Sequence, residues 1–141
     1  MIPIPIALEL KQAGLQWEPQ THDFFAIPDR GFDDQVFVLS ELMASQEKLQ
    51  GAPAITFHGT PEWALDYIWP QQVTWLPTEA QLRTAIETRL ADEPGKGLQL
   101  LWRENVYTCR LTSAAGEHHF TAVSATLAYG RALLHLLQTI D

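Results

Sequence analysis

Helix-start signals and short β-type runs follow one another along this chain without a regular β–α–β order. The clearest helix start is Thr78, which has Gln81 at the capping-box position ahead of an apolar stripe. Beyond the turn-rich segment 92–97, three alternating runs are joined by short turns that contain Asn105 and Gly116. Helices separated by meandering strands in this way predict an α+β fold with a mainly antiparallel sheet.

The predicted architecture is a single α+β domain over residues 1–141, with helices at both termini and two internal helices. The helices are expected to run from Pro5 to Gly14, from Glu62 to about Ile68, from Thr78 to Leu90, and from Ser124 to the C-terminus. Strands are expected at 23–28, 35–39, 54–58, 73–76, 98–103, 106–113 and 117–122. Residues 41–50 are compatible with either type, and segment 92–97 is the predicted seam if the domain has subdomains.

Composition narrows the class of protein. The chain is 46% hydrophobic and 18% charged, which argues against intrinsic disorder. Its formal net charge of -8 argues against binding to nucleic acid or to anionic membranes, because both kinds of binding depend on Lys and Arg. A protein partner with a basic face, or association with further copies of the chain, stays open.

The single cysteine, Cys109, excludes an intramolecular disulfide and suits a reducing compartment. The apolar N-terminus lacks a basic region and is interrupted by prolines, so we do not expect a signal peptide. No apolar run approaches the roughly 20 residues that a membrane span needs. We therefore expect a soluble cytoplasmic protein, in which strand alternation groups Cys109 with Tyr107 and Leu111 as an inert core thiol.

The usual signatures of cofactor and metal sites are missing from the sequence. There is no phosphate-binding loop and no dinucleotide-binding pattern. The acidic loop 29–34 lacks the glycine and the distal acid of a calcium loop, since Asp34 and Ser40 stand at those positions. His118 and His119 are adjacent in a predicted strand, so their side chains should point to opposite faces. We predict no cofactor and no metal.

The five tryptophans are many for a chain of this length, and Trp63, Trp69 and Trp75 lie close together in the sequence. Such rings either fill a small core or line a groove or interface. Core filling is the favoured interpretation. Trp69, which precedes Pro70, is expected to be partly exposed.

The strongest candidate for a site is the segment Phe57–Asp66, where a strand ends at His58 and a new helix begins at Thr60. The N–H groups at such a helix start can hold an anion, and His58, Glu62 and Asp66 would supply acid–base groups nearby. The candidate binding residues are His58, Thr60, Glu62, Asp66 and Trp69. The favoured interpretation is that Thr60 only caps the helix. No catalytic residue is predicted.

Several stretches resemble a family of small uncharacterised bacterial proteins from actinobacteria, chloroflexi and phage-like relatives. The resemblance rests on Val36–Ser40, Phe57–Asp66, Trp75–Pro77 with Gln81 and Leu82, and the opening from Leu10 to Trp17. Some members of this family carry the name pilus assembly protein, and the resemblance implies a recurring compact fold.

These observations lead to two hypotheses about function. The first is a non-enzymatic interaction or accessory domain of a bacterial cell, linked to pilus assembly by the resemblance alone. The alternative is a small enzyme or small-ligand-binding protein with a cleft near residues 58–66.

Overall fold

The computed structural model describes residues 1–28, 32–40, 44–57 and 67–139. In chain order their elements are α1 (Ile4–Gln12), β1 (Phe24–Ile27), β2 (Phe32–Val38), β3 (Ala44–Leu49), β4 (Ala52–Phe57), β5 (Tyr67–Ile68), a 3-10 turn (Pro70–Gln72), β6 (Thr74–Leu76), α2 (Glu79–Leu90), β7 (Gly97–Arg103), β8 (Val106–Ser113), β9 (Gly116–Ala122) and α3 (Ala125–Gln138). The predicted α+β class and antiparallel pairing are confirmed, but the strands form three small sheets.

The chain divides into two compact units. The first contains residues 1–15 and 77–141, and the second contains residues 16–76. Segment 92–97, the predicted seam, lies inside the first unit between α2 and β7. That the whole chain behaves as a single domain stays a prediction. No helix in the described residues is long and apolar enough to cross a membrane.

The first unit packs α3 against α1, α2 and the sheet β7-β8-β9. The side of α3 that faces inward buries Ala128, Tyr129, Ala132, Leu133 and Leu137. At Gly130 a Cβ atom would lie 3.0 Å from Cγ2 of Ile6. The glycine therefore permits the close approach of α3 to α1.

The ends of the helices follow the local signals in the sequence. Gly14 has a φ of 107°, and the N–H groups of Leu15 and Gly14 donate to the carbonyls of Leu10 and Lys11. These two hydrogen bonds form a Schellman motif, so α1 ends where the sequence predicted. Thr78 and Gln81 form the predicted capping box at the start of α2.

The second unit contains the sheets β2-β1-β6 and β3-β4-β5. Its core is one cluster of buried side chains from strands of both sheets and from the residues just after β2 and just before β6: Phe25, Ile27, Phe37, Leu39, Ile55, Ile68 and Val73. Within the ambiguous stretch 41–50, residues 44–49 form β3, which pairs with β4 without a register shift. The sequence left this stretch open because its composition favours helix, whereas pairing with β4 decides for strand.

One predicted element differs from the structure at its C-terminal end. Tyr67 and Ile68 pair with β4 as a short strand, so the helix predicted to reach Ile68 does not extend to these residues. Pro70, which was expected to end that helix, instead begins the 3-10 turn. The remainder of the predicted helix, 62–66, lies outside the described residues.

Candidate binding groove

The second unit carries an open groove of about 580 Å³, lined by rings from distant parts of the sequence. Trp17 and Pro19 come from the segment before β1, Pro53 from β4, and Trp69 and Pro70 from the chain before β6. We call this the Trp17–Trp69 groove.

Trp17 is held in the groove through its indole nitrogen. Its Nε1–H donates to Oδ2 of Asp23 over 2.9 Å, and the same oxygen accepts a hydrogen bond from the Gln20 N–H at 3.0 Å. Asp23 is only 5% exposed. A buried carboxylate needs hydrogen-bond donors, so the indole and the backbone N–H stabilise Asp23 while Asp23 fixes the indole.

The ring of Trp17 also packs on the core of the second unit. Its centroid lies 5.8 Å from that of Phe25, which in turn stacks on Phe37 at 5.5 Å. The Gln46 side-chain amide, from β3, donates to the carbonyl oxygen of Pro19. The segment that carries Trp17 is therefore fastened both to the core and to the sheet β3-β4-β5.

The opposite side of the groove is positioned by the 3-10 turn. The backbone N–H of Trp69 donates to Oε1 of Gln72 over 3.1 Å, and the Gln72 N–H donates back to the Trp69 carbonyl over 2.9 Å. The Trp69 ring meets Tyr67 edge to face at 5.3 Å, and Tyr67 is 45% exposed. Trp69 is half-buried, as its position before Pro70 led us to expect.

The described lining of the groove is mainly apolar and carries few polar side chains. Among its described lining residues the only ionisable side chain is that of Glu18, and the remaining polar groups are the amides of Gln46 and Gln71. General acid–base catalysis would need a correctly placed proton donor and acceptor. A volume of about 580 Å³ with mostly ring-bearing walls is the size and character of a ligand site.

The site predicted from the sequence overlaps this groove at one residue. Trp69 lines the groove, whereas His58, Thr60, Glu62 and Asp66 lie outside the described residues. The cleft near residues 58–66, and the enzyme or ligand-binding protein inferred from it, therefore stay predictions.

The expectation that the tryptophans fill the core holds in part for those that the structure describes, since Trp17 packs against the core but none of them is fully buried. Trp17, Trp69 and Trp75 are half-buried, and Trp102 is 62% exposed. Trp63 lies outside the described residues. Sequence reasoning also missed Trp17 and Asp23 as a pair. The only signals were an aromatic residue two positions before Pro19 and a lone acid at the start of an apolar strand.

Cys109, His118 and His119, the other groups considered from the sequence, are placed as strand alternation predicted. Cys109 is fully buried, and burial raises the pKa of its thiol to about 11, as an inert core cysteine requires. His118 and His119 point to opposite faces of β9: the His118 ring lies 4.5 Å from that of His135, and Nε2 of His119 lies 3.7 Å from Glu117. No group of three or more His, Cys, Asp or Glu side chains in the described residues is arranged to hold a metal ion.

No family model matches the chain, and neither a curated protein nor a solved structure matches it. The resemblance to small bacterial proteins, some of them named for pilus assembly, stays a prediction.

Proposed function

We propose that this chain is a non-enzymatic interaction domain of a bacterial cell, and that its Trp17–Trp69 groove binds an extended, proline-containing segment of a partner protein that carries a basic residue. The observation that supports the proposal is the pairing of two half-buried tryptophans with three prolines around one open groove. Grooves lined by aromatic rings recognise proline-rich segments, whose extended conformation is already formed before binding.

The charge of the groove supports a basic residue in the ligand. Glu18 is exposed at the wall, and the chain as a whole has a formal net charge of -8. An arginine in the ligand would gain from this field and would also stack on an indole face. An acidic segment would be repelled. We further propose that the partner protein is cytoplasmic. The resemblance described above points to a component of pilus assembly as this partner.

The test is a titration with blocked decapeptides that combine several prolines with one arginine. Nuclear magnetic resonance resolves the indole N–H signals, one for each of the five tryptophans. We expect the signals of Trp17 and Trp69 to shift on binding and that of Trp102 to stay in place. Peptides with glutamate in place of arginine, or alanine in place of proline, should bind more weakly.

Trp69→Ala is the informative variant, because Trp17 also stabilises the buried Asp23. We expect Trp69→Ala to weaken binding by roughly tenfold or more, as loss of a central aromatic contact does. Trp102→Ala is the matched control, since Trp102 belongs to the other unit and does not line the groove. Equal binding by wild type and Trp69→Ala, or loss of binding in the Trp102 control, would contradict the proposal.

A further inference from the structure

Strand β7 has one edge without a strand partner in the described part of the chain. It pairs with β8 over all seven of its residues, and the sheet order β7-β8-β9 leaves its other side open. Three apolar side chains at its C-terminal end and just beyond are substantially exposed: Leu101 at 48%, Trp102 at 62% and Val106 at 41%. An edge of this kind is a template for a further strand.

The turn between β7 and β8 determines which backbone groups are free. Arg103 and Val106 flank a two-residue turn in which Glu104 and Asn105 both have positive φ, at 52° and 65°. In such a hairpin the flanking residues form a hydrogen-bonded pair, and hydrogen-bonded pairs alternate with non-bonded ones along the ladder. By this alternation Leu98, Leu100 and Trp102 direct their backbone N–H and C=O groups to the open edge.

β7 lacks the devices that usually prevent edge-to-edge pairing. By sequence, the edge strands β2, β3 and β9 all carry charged residues: two aspartates in β2, Glu47 and Lys48 in β3, and Glu117 in β9. The other edge strands, β5 and β6, have only two and three residues. β7 has no ionisable residue before Arg103, no proline and no register shift against β8.

The sequence of β7 is complementary to itself in one antiparallel register. With a two-fold axis at Leu100, residue 98 faces residue 102 of a second copy, and Leu100 faces its own equivalent. Leu98, Leu100 and Trp102, whose backbone N–H and C=O groups point to the open edge, then each face one of the same three residues in the second copy. Every free backbone group on this edge therefore gains a partner. On one face of the sheet, Leu98 would cover the exposed ring of Trp102 of the second copy. On the other face, the small Gly97 would lie opposite the long Arg103.

We propose that β7 is a self-association surface, and that two copies of this chain pair their β7 strands antiparallel about Leu100 to form a continuous six-stranded sheet. Such an interface uses the same patch on both copies, as two-fold symmetric dimers do. Each copy carries a formal charge of -8, so repulsion opposes association. Salt screens this repulsion and should therefore strengthen the dimer.

Sedimentation of the full chain from low-micromolar to near-millimolar concentration tests the proposal. We expect the average mass to rise from 15.9 kDa toward twice that value, with a tighter dimer at high salt. Trp102→Lys, at an exposed position, should weaken the dimer by roughly tenfold through loss of two symmetric Trp–Leu pairs. Val123→Lys, which removes a still more exposed apolar side chain outside β7, should leave the dimer intact. A monomer at every concentration, or a dimer unchanged by Trp102→Lys, would overturn the proposal.

Cysteine cross-linking tests the register independently of these variants. In the proposed dimer Gln99 faces Leu101 of the second copy in a non-hydrogen-bonded pair, where Cα atoms lie about 4.5 Å apart and a disulfide can form. A mixture of Gln99→Cys and Leu101→Cys chains should therefore cross-link on mild oxidation, and each variant alone should not. Cross-linking of either variant alone at the rate of the mixture would contradict the register.

Discussion

At the scale of residues, Asp23 is the side chain on which the geometry of the groove most directly depends. It is buried, and one of its oxygens accepts both the Trp17 indole N–H and the Gln20 backbone N–H. The following strand begins one residue later, so the same carboxylate connects the groove wall to β1. The sequence shows only a lone acid before an apolar strand, because the turn between Trp17 and Asp23 determines that these two side chains meet.

His135 shows a second effect at this scale. Its ring, on α3, is half-buried against His118 at 4.5 Å and Phe120 at 5.3 Å. Burial, with a smaller contribution from the charge of His118, lowers the pKa of His135 below its usual value. His118 and Phe120 both belong to β9, so this strand covers the part of α3 that carries His135.

The lowered pKa of His135 predicts that stability falls as the pH falls. The unfolded chain takes up the proton near the ordinary pKa of about 6.5, and the folded chain takes it up only at lower pH. The penalty is thus absent well above pH 6.5 and grows as the pH drops below it. Thermal melts at a series of pH values should show this loss in wild type and less of it in His135→Phe. His119→Gln, on the opposite face of β9, is the control and should keep the wild-type dependence. An equal loss of stability with falling pH in His135→Phe would show that other groups cause the effect.

At the scale of elements, α2 shows how much of a helix can be predicted from the local sequence. The Thr78 hydroxyl accepts the Gln81 N–H over 3.2 Å, and the Gln81 side chain accepts the Thr78 N–H over 2.9 Å. Both partners lie within one turn of the chain, so a capping box can be predicted from spacing alone. Leu82, Ile86 and Leu90 are the buried residues of the apolar stripe that was predicted to follow this capping box.

We expect Thr78→Ala to lower the free energy of unfolding by about 1 kcal/mol, because it leaves helix N–H groups without an acceptor. Thr78→Ser should cost little, since the hydroxyl is kept. Thr84→Ala is a matched control at an exposed position inside the same helix, where alanine's higher helix propensity should stabilise slightly. Chemical denaturation measures all three. Similar losses at Thr78 and Thr84 would show that capping is not the cause.

At the scale of the whole molecule, the two units contain different spectroscopic reporters. All three described helices belong to the first unit, whereas residues 16–76 contain every tryptophan except Trp102. The far-ultraviolet signal of helix therefore follows the first unit, and tryptophan fluorescence mainly follows the second. Because the second unit interrupts the first along the chain, unfolding of the second unit alone would leave residues 16–76 as a long flexible loop within the first.

We therefore expect a single cooperative unfolding transition that the two signals report alike. The measurement is a denaturant titration followed by circular dichroism and by fluorescence in the same samples. Coincident midpoints and slopes would support one cooperative domain over residues 1–141. Separate midpoints would divide the chain into the two units, with a boundary near residues 15 and 76 and not near 92–97.

The sequence alone determined the α+β class, the helix ends at Gly14, Thr78 and Ser124, the hairpins of the first unit and the burial of Cys109. These features depend on residues close together in the chain, so spacing and turn chemistry are enough to predict them. Tertiary structure decided which distant segments meet. β1 pairs with β6, and the segment with Trp17 lies beside the one with Trp69. Their contact depends on packing of the whole second unit, which no local pattern records. For the same reason only the sheet order left β7 with an open edge.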